Sequence, residues 1–422
     1  MRRAQVKKGT EKSGQAVQDF DLGTVLADVV AAAHRLAPGE IPALVQDTAV
    51  RLGLSQASVY IADLQQRELV ALPTPAQVQI LVRGLPAGLE ALPVDASLAG
   101  HAYRTETLQV AAGGGDPSGA LGWLPLVDGI GRLGVLRVAA PELDGPLLER
   151  CQTLAGLTAM ILASKQYTSD VLAQTARSRP MSLQAELLWA FVPPRTIGTA
   201  AVTSSAVLEP AYEVGGDAFD HSLAGTRLHL ALLDAMGHDL ASGGCSAVAL
   251  AACRSTRRAG GGLVDIAEQI DQTLARWIPE RLLTCVLANL DTANGRLDWV
   301  NCGHPAPLLI RGRRIVTGAL ERTPHPPLGI NSPGLPAPQT HTARLQPGDR
   351  VLMFTDGVTE ARSPTGDLFG EERLAETVVR AMADGLPAPE ALRRLIQQIT
   401  LHQDQRLRDD ATIVLAEWHP HR

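Results

Sequence analysis

The chain has 422 residues, enough for two or three domains each burying its own core. Hydrophobic residues make up 45%, charged residues 19%, and the formal net charge is −6. This balance is globular, and its scattered arginines give no basic stripe of the kind that binds nucleic acid.

The basic start, with Arg2, Arg3, Lys7, Lys8 and Lys12, has no apolar pattern beside it, and residues 1–18 read as a frayed, solvated tail. The five cysteines, Cys151, Cys245, Cys253, Cys285 and Cys302, form no C-x-x-C pair and sit in apolar runs, as thiols of a reducing compartment do. No stretch has the length of a membrane span, and the polar N-terminus lacks a signal-peptide core, so a cytoplasmic protein that does not enter the membrane is expected.

In chain order, Leu22, Val25, Leu26 and Val29 predict a helix that ends near Pro38-Gly39, and Ile41, Leu44, Val45, Ala49 and Leu52 predict a second ending at Gly53. Strands follow over 57–62, 68–72, 108–111, 123–127 and 133–138, the last two joined by an Asp128-Gly129 turn. From Leu147 to Arg177 the spacing predicts one long helix. Ser178-Arg179-Pro180 interrupts it, and a new helix carries Leu183, Leu187, Leu188 and Phe191 up to Pro193-Pro194. Such a segment either packs on its own domain or pairs with its copy in a homodimer; the pattern leaves both open.

The phrase Ser97-Leu98-Ala99-Gly100-His101-Ala102-Tyr103-Arg104, followed by Trp123-Leu124-Pro125-Leu126-Val127 and Gly134-Val135-Leu136-Arg137-Val138, resembles a GAF domain over residues 19–165. The resemblance implies an α/β sensor module that binds a small ligand or serves in dimerisation. His34 and His101 read as ordinary core or surface histidines rather than ligands, and Gly113-Gly114-Gly115 lacks the Lys-Ser/Thr of a phosphate-binding loop.

Beyond a helical linker at 166–195, the pattern becomes strand-rich. Strands are predicted over 199–208, 227–233, 283–290, 296–301, 305–310, 350–354 and 411–418, with helix pairs near 241–257 and 263–277 and near 371–384 and 388–402. Asn294-Gly295 marks a hairpin. Strands in runs and helices in pairs point to an α+β unit of two packed sheets flanked by helices.

Four acidic stretches lie at the ends or edges of these apolar runs: Gly215-Gly216-Asp217 with Asp220, Leu233-Asp234-Ala235, Phe354-Thr355-Asp356-Gly357, and Asp409-Asp410-Ala411. One such carboxylate is usually a turn or a helix cap. Four gathered at one edge repel unless a cation is shared, and an all-oxygen donor set selects magnesium or manganese over zinc. Two such ions about 3.5–4 Å apart acidify a water and hold a phosphate ester, so phosphoester hydrolysis needs no protein nucleophile. Neither G-x-S-x-G nor C-x5-R is present.

Together with Leu183-Gln184, Pro193-Pro194, Asn301-Cys302-Gly303-His304-Pro305 and Pro327-Leu328-Gly329, these motifs resemble, in order, the bacterial PPM serine/threonine phosphatases of the SpoIIE and RsbU type, relatives of protein phosphatase 2C. The resemblance covers about residues 180–418 and implies an αββα sandwich over 196–419. It implies that Asp217, Asp234, the carbonyl of Ala235, Asp356 and Asp409 hold two manganese or magnesium ions, with Asp220 and Asp410 orienting water or ligands from behind them. It further implies phosphoserine or phosphothreonine on a signalling protein as substrate, commonly a STAS-domain anti-anti-sigma factor, under control of an N-terminal sensor. His304 reads as a turn residue.

One departure stands out: the family's Gly-His-Gly is Gly237-His238-Asp239 here. Asp239 is expected to cap the following helix, while a further ligand or a perturbed site stay open. A perturbed site is the sole support for the alternative of a catalytically silent regulator that signals by ligand-dependent docking. A two-metal nuclease or cyclase is a third reading, disfavoured by weak basicity.

Overall fold

The computed structural model describes residues 22–419 except 82, 84–87, 113–118, 331–333 and 405–406. The N-terminal tail and the Gly113-Gly114-Gly115 run lie outside the described residues.

The first unit contains α1 (Leu22–Ala33), α2 (Ile41–Arg51), β1 (Gln56–Ala62), β2 (Glu68–Ala71), α3 (Pro75–Leu81), β3 (Ala91–Pro93), α4 (Leu98–Thr105), β4 (Gln109–Ala112), β5 (Ala120–Asp128), β6 (Gly131–Ala140) and α5 (Gly145–Lys165). The six strands form one antiparallel sheet in the order β3-β2-β1-β6-β5-β4. Successive strand residues point to opposite faces. Val59 and Ile61 accordingly meet α1, α2 and α5 in one core, whereas Tyr60 joins Leu69, Val135 and the α4 residues Ala102 and Tyr103 in another. The β5–β6 turn is the expected tight one, with Asp128 paired to Gly131.

The long helix expected over 147–177 is instead broken. Helix α5 ends at Lys165, and α6 (Asp170–Thr175) restarts behind Ser169, whose hydroxyl accepts the Leu172 amide. A serine that caps a helix competes with the helix that would run through it, which the apolar spacing alone does not register. The segment 166–195 is consequently divided. Leu172 of α6 enters the first unit's core, whereas Ala185 and Leu188 of α7 (Leu183–Phe191) are fully buried in the second unit's core.

The second unit contains β7 (Thr196–Thr199), β8 (Val202–Glu209), β9 (Asp217–Ala224), β10 (Arg227–Ala235), α8 (Leu240–Arg258), α9 (Leu263–Trp277), β11 (Leu283–Asp291), β12 (Arg296–Cys302), β13 (Leu308–Arg311), β14 (Arg314–Ile315), β15 (His341–Arg344), β16 (Arg350–Phe354), α10 (Asp356–Thr359), α11 (Gly370–Ala383), α12 (Ala388–His402) and β17 (Ala411–Trp418). The single strand expected over 199–208 is a hairpin of β7 and β8, folded at Ala200-Ala201. The β11–β12 hairpin closes between Asp291 and Arg296, so Asn294-Gly295 ends a four-residue loop instead of forming a two-residue turn.

Two sheets result, β15-β12-β11-β10-β9 and β14-β13-β16-β17-β8-β7. Helices α8 and α9 cover the first, and α11 and α12 cover the second. Apolar side chains of both sheets, among them Phe219, Leu232, Trp299, Met353 and Val414, fill the space between them. Because every sheet neighbour is antiparallel, the end of β16 and the start of β17 fall at the same edge, as do the start of β9 and the end of β10.

Candidate metal centre

Register places the acidic residues. Asp217 opens β9 and lies directly opposite Asp234 near the end of β10. Like charges in that position repel. Asp356 follows β16 and opens α10, and Asp409 and Asp410 immediately precede β17, whose Ile413 pairs with Phe354 of β16.

The carboxylates perturb one another as a group. Burial, then the charges of Asp234 and Asp410, push Asp217 well above the ordinary carboxylate range. Burial, then Asp356, Asp409 and Asp410, push Asp234 up to about 7. Burial and Asp409 raise Asp356. Among the described residues none of these five forms an ion pair with Lys, Arg or His. Asp217 is buried and Asp234 and Asp410 are partly so, while Asp356 and Asp409 are exposed at the rim; like charges gathered in this way without a cationic partner repel, and a bound divalent cation resolves the arrangement. The donor set is oxygen only, which fits magnesium or manganese. Among the described residues no three His, Cys, Asp or Glu side chains are already drawn together as a closed ligand cage. The residues therefore fit such ions by charge and donor chemistry.

Asp410 has a definite structural task. Its Oδ2 accepts the amides of Gly215 at 2.8 Å, Gly216 at 2.7 Å and Asp217 at 3.1 Å. It thereby folds the loop that delivers Asp217. The glycines permit this approach: a Cβ on Gly216 would collide with the carbonyl of Ala235, and one on Gly215 would meet His238. Gly357 is held in the same way, its missing Cβ leaving room for the carbonyl of Asp410.

Asp220 does not join the cluster. The sequence reading put it behind the ions as a group orienting water or ligands, but three residues along a strand is an odd step, and its side chain leaves the opposite face. There Arg254 holds it at 2.7 Å and Arg257 at 2.8 Å, both from α8, and these arginines draw its carboxyl below the usual range despite burial. It anchors α8 to the sheet.

Asp239 is the N-cap of α8. Its Oδ1 accepts the Ser242 amide at 2.9 Å, and its Oδ2 pairs with Arg281 at 2.8 Å. Arg281 also donates to the carbonyl of Met236, closing the Gly237-His238-Asp239 turn. With both oxygens so engaged, Asp239 serves the helix start.

His304 lies in a turn and is fully buried. Its Nδ1 is 2.7 Å from Thr284 Oγ1 and its Nε2 is 3.1 Å from the carbonyl of Phe354. Since a carbonyl only accepts, Nε2 carries the hydrogen and Nδ1 accepts from the threonine. The ring thus fixes the backbone two residues before Asp356. Thr355 was not singled out by sequence, yet its hydroxyl donates to Asp217 Oδ2 at 2.8 Å and accepts the Thr412 amide at 2.9 Å. Its position between a strand end and Asp356 is the signal that could have marked it. Ser246 of α8 likewise donates its hydroxyl to the carbonyl of Gly216.

Comparison with known proteins bears on this arrangement. Residues 224–419 match the family described as Stage II sporulation protein E (SpoIIE). Protein IcfG of Synechocystis sp. is 32% identical over 132 residues, which is 30% of this chain and 19% of that protein, so the chain spans about a fifth of this relative's length. Among solved structures, the RsbU and RsbW domains of Rv1364c from Mycobacterium tuberculosis share 22% identity at a TM-score of 0.45, covering 54% of this chain and 63% of that one. The phosphatase domain and regulatory fragment of SpoIIE from Bacillus subtilis share 13% identity at a TM-score of 0.44, covering 94% and 93%. The family match covers residues 224–419, a little under half of the chain, and ties that stretch to the SpoIIE family.

Proposed function

We propose that the protein is a metal-dependent serine/threonine phosphatase that hydrolyses phosphoserine or phosphothreonine on a signalling protein. The observation that carries this is the cluster of Asp217, Asp234, Asp356 and Asp409 at one edge of the two sheets, mutually repelling and without a cationic partner among the described residues, in a SpoIIE-family domain. In this reading Asp217, Asp234, the Ala235 carbonyl, Asp356 and Asp409 hold two manganese or magnesium ions. Bound there, the ions supply Lewis acidity to the phosphoryl group and acidify water. The chain's own part is positional: Asp410 gathers the amides ahead of Asp217, Thr355 orients the Asp217 carboxylate, and His304 fixes the backbone that leads to Asp356.

The finer parts of the reading are a STAS-domain anti-anti-sigma factor as substrate, a GAF-like sensor over 19–165 that takes a small ligand, a cytoplasmic location and a homodimer. Five free, buried cysteines suit a reducing compartment. Among the described residues no helix is long and apolar enough to cross a membrane. Met160 on α5 and Tyr167 just after it, 62% and 70% exposed, offer apolar surface to a second copy. The silent-regulator alternative loses its support, because Asp239 is engaged as a helix cap.

The test is manganese-dependent release of phosphate from a phosphoserine peptide by the full chain and by Asp356→Asn, with manganese binding followed by calorimetry. Turnover that chelator abolishes and Asp356→Asn lacks is the expected result. A wild-type protein that binds manganese but releases no phosphate, as the full chain or as residues 180–422, overturns it.

A further inference from the structure

Beside the acidic cluster the sheet edge turns apolar. The pairing of β10 with β11 sets Asp234 opposite Thr284 and Ala235 opposite Leu283. It continues past the end of β10, because the Met236 amide donates to the carbonyl of Leu282 at 2.9 Å. Met236 therefore stands an even step from Asp234 and leaves the same face of the sheet, whereas Ala235 between them is turned into the core. Leu282, opposite Met236, shares that face. The pair lies about 7 Å further along the strand than Asp234, toward the open edge.

The backbone under this ledge is fixed from both sides. Arg281 donates to the carbonyl of Met236 at 3.1 Å and pairs with Asp239, while Leu283 and Leu328 exchange two backbone hydrogen bonds. Next to them Gly329, at a φ of +89°, closes against Leu282, and a Cβ there would collide with the Arg281 carbonyl. On this held backbone Met236 is 51% exposed and Leu282 is half-buried. A methionine so placed is an adaptable apolar contact. The other flank of the cluster differs: there the exposed carboxylate of Glu360 bears on Asp356. The surroundings of the cluster are thus apolar on the Met236 side and acidic on the Glu360 side.

We propose that Met236 and Leu282 form a specificity subsite for the phosphoprotein substrate, receiving a bulky apolar side chain two residues away from the phosphorylated serine or threonine. The proposal rests on the phosphatase reading of the acidic cluster. An extended peptide has the same two-residue repeat as the strand, rising about 7 Å per repeat. With its phosphoryl group at the cluster, the second neighbour on one side reaches the ledge, and the first neighbour points away from it. Bulk and apolarity at that second position are what the ledge selects.

The experiment gives the full chain, in manganese, short phosphoserine peptides of otherwise polar sequence with a single leucine one or two positions before or after the phosphoserine. Phosphate release is measured on these, and affinity by calorimetry on counterparts carrying a non-hydrolysable difluorophosphonate. Leucine two positions away, on one side, should raise affinity and kcat/KM about tenfold over the leucine-free peptide, the value of largely burying one leucine, and leucine at either adjacent position should change them by less than about twofold. Met236→Asn should bring the tenfold ratio to within about twofold of one, and Met236→Leu should keep it. Absence of binding by every peptide, no preference for leucine two positions away, an equal preference at an adjacent position, or a preference that survives Met236→Asn overturns the proposal. A wild-type dimer that Met236→Asn splits in sedimentation, with the peptide preference intact, assigns the ledge to a second copy and overturns it too. Peptides that bind with the expected preference but release no phosphate support the subsite and overturn the phosphatase reading.

Discussion

Thr355 and Asp217, 138 positions apart in sequence, meet through a 2.8 Å hydrogen bond in which the hydroxyl donates and Oδ2 accepts. The same oxygen of Thr355 accepts the amide of Thr412, so one side chain ties together the start of β9, the end of β16 and the start of β17. Thr355→Val keeps the shape and removes both bonds, orphaning a buried carboxylate and a buried amide. Loss of about 2–3 kcal/mol in urea unfolding and roughly tenfold weaker manganese binding are expected. Thr355→Ser should retain most of both.

Asp239→Gly restores the family's residue and removes the acceptor of the Ser242 amide and the partner of Arg281. A lower Tm is expected, with manganese-dependent turnover held to within about twofold of wild type. A large loss of turnover at unchanged fold would show that Asp239 belongs to the metal site.

His221 and His229 are buried, and burial pulls each pKa down to about 4. Both therefore stay neutral in the folded chain while the unfolded chain protonates them below about 6.5. The unfolded state then binds more protons between pH 6.5 and 4, so stability falls on acidification through that window, by up to about 1.4 kcal/mol per pH unit for each histidine. His221→Gln, which keeps a polar group facing Ser204 and the Pro194 carbonyl, should flatten the slope by close to one proton relative to wild type in denaturant titrations at a series of pH values.

Glu390 on α12 is fully buried between Arg393 of its own helix and Arg132 of the first unit. Arg393→Met removes its best partner and should cost on the order of 3 kcal/mol, measured by denaturant unfolding. Asp95→Asn, at the exposed end of the same network, should cost about 0.5 kcal/mol. Equal effects would mean that the buried charge is not what holds the units together.

Apolar patterning made α2, α8, α9, α12, β10 and β16 legible to within a residue or two, because the helices each carry one apolar face and the two strands, buried on both faces, read as continuous apolar runs. The acidic motifs were equally legible, since a carboxylate beside a buried strand is conspicuous wherever it stands. Local pattern failed where two local preferences compete, as at Ser169, where a cap interrupts an otherwise helical spacing.

Which carboxylates share a space was decided only by register. Asp217 and Asp220 look alike in sequence, yet an odd step on β9 sends one toward Asp234 and Thr355 and the other toward Arg254 and Arg257. A side-chain hydrogen bond between the two sheets over 138 positions and an ion pair between units over nearly 300 leave no local trace, because each partner by itself is a plausible surface residue. The sequence by itself determined the elements and the chemistry of their ends. The tertiary structure alone decided that Asp410 organises backbone and that Thr355 holds Asp217.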